Sequence, residues 1–375
     1  MTRADHILHL QTGGGAFGGI AGYVAALTGS ETLKRYRFTV TIGPGEAEVL
    51  RASRKYGDAA LVPFPPTYSL FSLPKRLVTL RQVLRQSGAK LIHSHALRGG
   101  YLCALLNALG GVRFVHTNHG LRFHQKSGRI SKAIFRRIER FVIARAERII
   151  CIRQSDAALL QHEMPQCAAK CQTIVTRVSP EVPAALPIDL AGPFHLVGVG
   201  SLIEVKRVDR FIDWIAALQR AGHACHATWL GDGPLQSRLQ AQAAAQDVEI
   251  NWAGQVDPKT VSTTLHSADA MLLTSEFEVL SLAALEAMGN YTPVVTTDFF
   301  GVRDFVRPDE TGMILPLDVN PDAAAAALAT LLADRPRLAA MGRAARADFE
   351  DRFFDHDRMA AEYATLYREV LEAGA

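Results

Sequence analysis

Short apolar runs alternate with longer amphipathic stretches along nearly the whole chain. The runs are rich in Val, Ile and Leu and end in small or polar residues, as is typical of buried parallel strands. The predicted strands are His6–Gln11, Phe38–Ile42, Ala59–Phe64, Lys90–His95, Arg113–Asn118, Arg148–Ile152, Gln172–Val178, Phe194–Gly200, Ala227–Leu230, Glu249–Ala253, Ala270–Ser275, Pro293–Thr297 and Gly312–Leu315. Because strands alternate with helices, we expect an α/β protein with two doubly wound parallel sheets.

A proline-rich segment separates the two sets of strands. It contains Pro180, Pro183, Pro187 and Pro193. Proline continues neither a helix nor a central strand, so this segment is predicted to be a linker. We therefore predict an N-terminal domain over residues 1–180, a linker over 181–193 and a C-terminal domain over 194–354, with a ligand bound in the cleft that the domains face.

The segment from Thr274 to Asp298 carries the strongest chemical signal. A helix predicted to begin just after Ser281 follows a buried strand, and its unpaired N–H groups suit a phosphate. Glu278 lies in the loop before this helix and Glu286 lies inside it. Carboxylates beside a bound anion are suited to accept hydrogen bonds from sugar hydroxyls.

This spacing of Glu278 and Glu286, followed by Thr292-Pro293-Val294-Val295, resembles the donor-sugar motif of retaining glycosyltransferases of family 4, which have the GT-B fold with two Rossmann-like domains. Other landmarks appear in the family's order along nearly the whole chain. They are His119-Gly120, Val199-Gly200-Ser201-Leu202 with Lys206, Gly231-Asp232-Gly233-Pro234-Leu235, and a terminal helix over Phe354–Val370.

The resemblance implies transfer of a sugar from a nucleotide-diphosphate donor to a glycan or lipid-linked acceptor, with retention of anomeric configuration and no enzymatic nucleophile. UDP is slightly favoured over GDP as the nucleotide, from family frequency alone. Cell-surface polysaccharide or lipopolysaccharide synthesis is the implied setting. The terminal helix, residues 355–375, is expected to complete the first domain.

The same resemblance assigns the site residues. His119, Lys206 and Glu278 are the catalytic candidates, because a fixed cation stabilises a leaving diphosphate and the histidine touches the transferred sugar. The donor-binding candidates are Gly18, Gly19, Ser201, Lys206, Arg207, Glu278, Leu280, Ser281, Leu282 and Glu286. His93 and His95 are interpreted as structural or acceptor-side residues.

Three positions depart from the family pattern, among them Arg207, which stands where many relatives have glycine. Ser201 stands where many relatives have arginine, and either Arg207 or Arg303 is expected to supply the missing charge. Tyr291 stands where a glycine is usual. The glycine-rich stretch from Gly13 to Gly19 is a weak signal alone, and a plain tight turn is the alternative to a loop that approaches phosphate or sugar.

No metal or cofactor is expected. The only Asp-x-Asp tripeptide is Asp355-His356-Asp357, which is predicted to cap the terminal helix, so Lys206 and helix amides would replace the cation. Cys167 and Cys171 form the only close pair of the five cysteines, and without further ligands they are interpreted as incidental thiols of a reducing compartment. With no long apolar run, a cytoplasmic protein is predicted.

A basic segment indicates a possible membrane surface. Arg122 to Arg148 holds nine Lys and Arg against Glu139 and Glu147, a net of +7, whereas the whole chain carries only +4. Helically spaced apolar residues accompany these charges, which favours either an ordinary packed helix or peripheral attachment to an anionic membrane. Nucleic acid is a poorer partner, because no aromatic-interleaved or helix-turn-helix pattern is present.

Three alternatives remain at this point. A sugar-nucleotide epimerase would act on the donor alone, and a phosphorylase would need a lysine that carries pyridoxal phosphate. A non-catalytic partner subunit would keep the fold and lose activity. Retention of His119, Lys206, Glu278 and Glu286 disfavours that last alternative.

Overall fold

A computed structural model describes residues 5–12, 19–65, 70–121, 128–178 and 192–373. It divides into two compact units, one formed by Met1–Arg177 with Asp355–Ala375 and the other by Val178–Phe354. Gly18 and most of the predicted linker lie outside the described residues.

The first unit is built on a seven-stranded, fully parallel sheet in the order β3-β2-β1-β4-β5-β6-β7. Its strands are β1 His6–Leu10, β2 Arg37–Ile42, β3 Ala60–Pro63, β4 Leu91–His95, β5 Phe114–Asn118, β6 Ile149–Cys151 and β7 Cys171–Thr173. The predicted last strand, Gln172–Val178, was too long. Its partner β6 ends at Cys151, which pairs with Thr173, so the ladder stops there.

Helices cover both faces of this sheet. They are α1 Gly19–Thr28, α2 Ala47–Ala52, α3 Leu73–Ser87, α4 Ala96–Gly110, α5 Arg129–Arg145 and α6 Gln154–Glu163. Buried side chains of α3, α4, α5 and α6 share one core, and those of α1 and α2 share another. In a parallel sheet each helix that follows a strand begins at the carboxyl edge, so α3, α4 and α5 all begin at that edge.

The C-terminal helix, His356–Glu372, belongs to the first unit. Asp355 caps it by accepting hydrogen bonds from the backbone N–H groups of Asp357 and Arg358, which confirms the predicted capping role. Its buried Tyr363 and Tyr367 pack toward α1 and β4. The predicted start at Phe354 was two residues early, because Phe354 pairs with Val178 in the second unit.

The second unit contains a six-stranded parallel sheet in the order β10-β9-β8-β11-β12-β13. The strands are β8 Phe194–Val199, β9 Cys225–Leu230, β10 Ile250–Gly254, β11 Ala270–Leu273, β12 Val294–Thr297 and β13 Gly312–Leu315. The helices are α7 Val208–Arg220, α8 Gln236–Ala245, α9 Pro258–His266, α10 Leu282–Gly289, α11 Pro321–Ala333 and α12 Arg335–Arg352.

This strand order reverses between β8 and β11, so the carboxyl ends of these two strands flank the crevice where open α/β sheets bind ligands. No helix in the described part of the chain is long and apolar enough to cross a membrane.

Candidate active site

Two glycines bring the ends of β8 and β9 close together in the second unit. Gly200 and Gly231 have φ values of +146° and +128°, and a Cβ on Gly231 would lie 2.3 Å from the carbonyl oxygen of Gly200. Trp229 fixes the same carbonyl, since its Nε1–H donates to it at 2.9 Å. The close approach therefore requires glycine at position 231 and sets the direction of the loop that follows β8.

Replacing Gly231 by alanine is expected to lower the free energy of unfolding by about 3 kcal/mol, because a positive φ and a backbone clash act together. Urea unfolding measures this loss. Gly222→Ala is the matched control, since Gly222 also has a positive φ of +88° but open space around its Cβ position. It should cost only about 1 kcal/mol, and equal losses in both variants would refute the packing argument.

The loop after β8 carries Lys206 to Glu278. Lys206 Nζ donates to Glu278 Oε1 at 2.5 Å, and Ser275 Oγ donates to the same oxygen at 2.8 Å. Both charged side chains are mostly buried. Thr274 Oγ1 also donates to the backbone oxygen of Lys206, which ties the loop to the end of β11. The two predicted catalytic residues of this unit are thus in direct contact.

Helix α10 begins at Leu282, as predicted from the sequence. Ser281 is its N-cap, and its hydroxyl accepts a hydrogen bond from the backbone N–H of Ala284 at 3.3 Å. Leu280 is buried beside it, and Leu282 is half-buried. The helix N-terminus therefore follows Glu278 closely, and its dipole adds positive potential beside the Lys206 ammonium.

Glu286 lies on the fifth position of α10. Its side chain is half-buried, and its carboxyl group has no hydrogen bond or ion pair among the described residues. Burial raises the pKa of Glu286 to about 7. A desolvated carboxyl group without a partner is costly for a folded protein, so it marks a place where a ligand can supply the missing donors.

The two arginines considered as substitutes at Ser201 each have a carboxylate partner. Arg207, with φ +49°, binds Asp209 through Nε and Nη2, which raises the pKa of the guanidinium. Arg303 Nη2 donates to Asp298 at 2.9 Å. Ser201 itself is exposed. Lys206, by contrast, contacts Glu278 directly.

Tyr291 follows α10 with φ +63°, the left-handed conformation in which glycine is usual. The guanidinium carbon of Arg346 on α12 lies 5.1 Å from the centre of its ring. This cation–π contact stabilises the ring and offsets part of the backbone strain.

In the first unit, His119 directly follows β5 and is half-buried. Its Nε2 lies 3.2 Å from Nδ1 of His95, and the edge of the Tyr23 ring packs against it. Burial, assisted by His116, lowers the pKa of His119 to about 3, so the ring is neutral at physiological pH. Gly19 opens α1, and a Cβ there would meet nothing within 4 Å.

Sequence reasoning overlooked His9, which lies beside His93 on the neighbouring strand. The ring nitrogens of His9, His93 and His95 lie within 4.8 Å of one another, the spacing of a possible metal site. Both nitrogens of His93, however, already bond to hydroxyls, those of Tyr367 and Thr117, at 2.6 Å each. The available signal in the sequence was a histidine inside the predicted strand His6–Gln11 together with histidines at alternate positions, 93 and 95, of the predicted strand Lys90–His95.

Two doubly wound units, one with a buried lysine–glutamate pair before a helix N-terminus, define a glycosyltransferase of GT-B type. Family models agree: the model described as glycosyl transferase 4-like domain matches residues 18–166, and the model described as glycosyl transferases group 1 matches residues 189–348. The chain belongs to this group of glycosyltransferases.

Individual proteins resemble this chain in sequence and in structure. Glycogen synthase of Mycobacterium tuberculosis (strain CDC 1551 / Oshkosh) is 28% identical over 290 residues, which cover 74% of this chain and 68% of that protein. The structure of sucrose-phosphate synthase from Thermosynechococcus elongatus has a TM-score of 0.80 at 19% identity, covering 99% of this chain and 100% of that one. Anabaena HepE in complex with UDP-glucose has a TM-score of 0.78 at 17% identity, covering 97% and 99%. These two likenesses show the shared fold.

Proposed function

We propose that this protein transfers a sugar from a nucleotide-diphosphate donor to a glycan or lipid-linked acceptor, with retention of anomeric configuration. The observation that carries the proposal is the arrangement around α10: Lys206 paired with Glu278 before the helix, and the unpartnered carboxyl of Glu286 within it. A cation, a helix N-terminus and a hydrogen-bond acceptor match the diphosphate and the diol of a nucleotide sugar.

Lys206 acts on the leaving group in this proposal. Breaking the glycosidic bond leaves negative charge on the diphosphate, and a fixed ammonium stabilises that charge without reorganisation. Glu278 keeps the ammonium in place and accepts hydrogen bonds from hydroxyls of the donor sugar. Helix amides of α10 complete the phosphate site, so the chemistry needs no metal.

Glu286 holds the ribose hydroxyls, and His119 contacts the transferred sugar. The donor phosphate takes the proton from the acceptor hydroxyl on the face that the leaving group vacates, which gives retention without an enzymatic nucleophile. Gly18, Gly19, Ser201, Arg207, Leu280, Ser281 and Leu282 contribute the remaining donor contacts.

Donor identity is tested by calorimetric binding and thermal stabilisation against UDP-, GDP-, ADP- and CDP-sugars without added metal. We expect one donor class to bind selectively, with UDP-sugars ahead of GDP-sugars. HepE was solved with UDP-glucose, which supports UDP as the first choice. A well-folded sample that binds none of the four would contradict the proposal and favour a non-catalytic partner subunit.

The acceptor is proposed to lie at an anionic membrane, since α5 presents an apolar and basic surface. Ile130 and Ile134 are 79% and 54% exposed. The basic side chains Arg129, Lys132, Arg137 and Arg140 are exposed around them. Such a helix can insert its apolar side chains among lipids while its cations bind headgroups, which supports peripheral attachment of the enzyme to the inner face of the cytoplasmic membrane.

Two details of the first unit refine the surface predicted from the sequence. Val142 is buried, and Ile138 and Phe141 are half-buried, so only the N-terminal part of the apolar stripe is exposed. Glu139 is buried and accepts a hydrogen bond from Asn118, which removes its charge from the surface. The sheet's carboxyl edge therefore carries the exposed, positively charged end of α5.

Replacing Ile130 and Ile134 together by glutamate is expected to weaken binding to phosphatidylglycerol vesicles at least about tenfold. Two side chains that would insert among the lipids are lost, and two negative charges are added that the anionic vesicle repels. Vesicle sedimentation measures the partitioning. Leu109→Glu is the control, because Leu109 is 68% exposed but ends α4 at the opposite edge of the sheet. If Leu109→Glu weakened binding as much as the double variant, or if the wild type bound phosphatidylcholine vesicles equally well, the proposed membrane-binding surface would be wrong.

A further inference from the structure

A layer of buried histidines lies between the first sheet and the helices that cover it on one side. His9 and His93 are neighbours across β1 and β4, and His95 lies two residues further along β4, on the same face. All three are fully buried or nearly so. Tyr23 of α1 and Tyr363 of the C-terminal helix pack against them. Polar groups in a core need hydrogen bonds, and the pattern of these bonds shows which ring nitrogens carry hydrogen.

The hydrogen bonds form two separate systems. His93 is bound by hydroxyls at both nitrogens. The other system is a chain of three rings: His9 Nδ1 lies 3.0 Å from His95 Nε2, and His95 Nδ1 lies 3.2 Å from His119 Nε2. The chain thus leads from the interior of the sheet to His119, which is half-buried at the end of β5.

Each ring in this chain is neutral. Burial lowers the pKa of His9 to about 3 and that of His95 well below its usual value, and the pKa of His119 is also lowered. A neutral imidazole has one N–H donor and one acceptor nitrogen. The chain therefore has only two consistent states, in which every hydrogen bond runs either toward His119 or away from it.

The inner end of the chain selects one state. His9 Nε2 is buried without a hydrogen-bond partner. If the bonds ran away from His119, this atom would carry an orphaned N–H group, and buried N–H groups without a partner are rare in folded proteins. If the bonds run toward His119, His9 donates from Nδ1 and leaves only a lone pair on Nε2.

We propose that His9 and His95 are positioning residues that hold His119 in the tautomer with its hydrogen on Nδ1. In this tautomer Nε2 of His119 accepts from His95, and Nδ1 is a fixed donor for an oxygen of the transferred sugar. Among the described residues Nδ1 of His119 has no hydrogen-bond partner. The contact with sugar rests on the proposed function, whereas the tautomer does not.

The tautomer is measured directly on protein labelled with 15N in its histidines. Ring nitrogens that carry hydrogen and those that carry a lone pair have well-separated 15N shifts, and His119→Asn assigns the His119 signals. We expect a hydrogen on Nδ1 and a lone pair on Nε2 of His119 in the wild type. Hydrogen on Nε2 would overturn the proposal.

Two substitutions at His9 form a matched pair. His9→Asn places an amide donor near the former Nδ1 and should keep the tautomer of His119, whereas His9→Leu removes the donor and should give a mixture of both tautomers. Thermal unfolding checks that each variant is folded. His119 signals identical to wild type in a folded His9→Leu would refute the chain, and if His9→Leu does not fold, loss of the tautomer in a folded His9→Asn would refute it.

Kinetic measurements distinguish a positioning role of His9 from a purely structural role. His9→Leu should lower kcat roughly tenfold, the loss of about one aligned hydrogen bond, while KM for the donor stays near wild type and His9→Asn restores kcat. If the wild type transfers no sugar, the 15N measurement still decides the chain, and only the proposed function fails. Stoichiometric shifts of the His9 and His93 signals on adding ZnCl₂ would instead indicate a metal centre and overturn the proposal.

Discussion

Lys206→Ala should lower kcat by about 10²- to 10³-fold, because the fixed cation that stabilises the leaving diphosphate is removed. Donor binding should weaken as well, since the diphosphate loses a charged hydrogen-bond donor. Initial rates over a range of donor concentrations measure both effects. The contact of Lys206 with Glu278 beside α10 is the structural reason for the expected size.

The control for this variant is Lys259→Ala, which removes an exposed lysine from the start of α9 in the same unit. It should leave the rate unchanged. Lys206→Ala also leaves the carboxylate of Glu278 without its cation, so the thermal midpoint must be recorded in parallel. A folded Lys206→Ala with the wild-type rate would show that the leaving group is stabilised elsewhere.

Glu286→Gln should weaken donor binding by about 10- to 100-fold, because hydrogen bonds to a carboxylate are stronger than those to an amide. Binding by the wild type should also depend on pH. Since the free carboxyl has a pKa of about 7 and ribose hydroxyls bind its ionised form, affinity should rise with pH up to about 7 and then level off. The variant should lack this dependence.

Although Glu286→Gln should weaken donor binding, it should raise the free energy of unfolding at neutral and higher pH. The folded-state pKa of Glu286 lies above its ordinary value of 4.5, so the folded protein holds the proton more tightly and loses stability as pH rises from about 4.5 through 7. Glu286→Gln avoids this loss, roughly 3 kcal/mol above pH 7. Thermal unfolding at pH 5 and pH 8 measures it.

Glu249→Gln is the control, because Glu249 is exposed before β10 in the same unit. Intact nucleotide sugars are the ligands to use, since their phosphodiesters do not titrate in this range. Equal pH dependence of donor binding in the wild type and Glu286→Gln would remove Glu286 from the ribose site.

Much of the architecture was predictable because buried parallel strands have a distinctive apolar pattern. Helix α10 begins at the predicted residue. The edge strand β7 was overextended, since only its pairing with β6 fixes where it ends.

The candidate site was predictable only in part. The spacing of Glu278 and Glu286 was visible in the sequence, but the ion pair of Lys206 with Glu278 joins residues far apart in the chain. The binding of Arg207 to Asp209 was equally hidden, because a local ion pair depends on the left-handed backbone at Arg207. His9 escaped notice because its neighbours, His93 and His95, lie far away in the sequence and approach it only when β1 pairs with β4.

The C-terminal helix has a consequence for synthesis of the protein. Tyr367 provides a hydroxyl to His93, and Tyr363 bonds to Thr117, so the buried polar layer of the first unit is incomplete until this helix is available. On the ribosome, the second unit has all of its strands before the first unit can close. The buried polar layer of the first unit therefore lacks these hydroxyl partners until the helix His356–Glu372 has been synthesised.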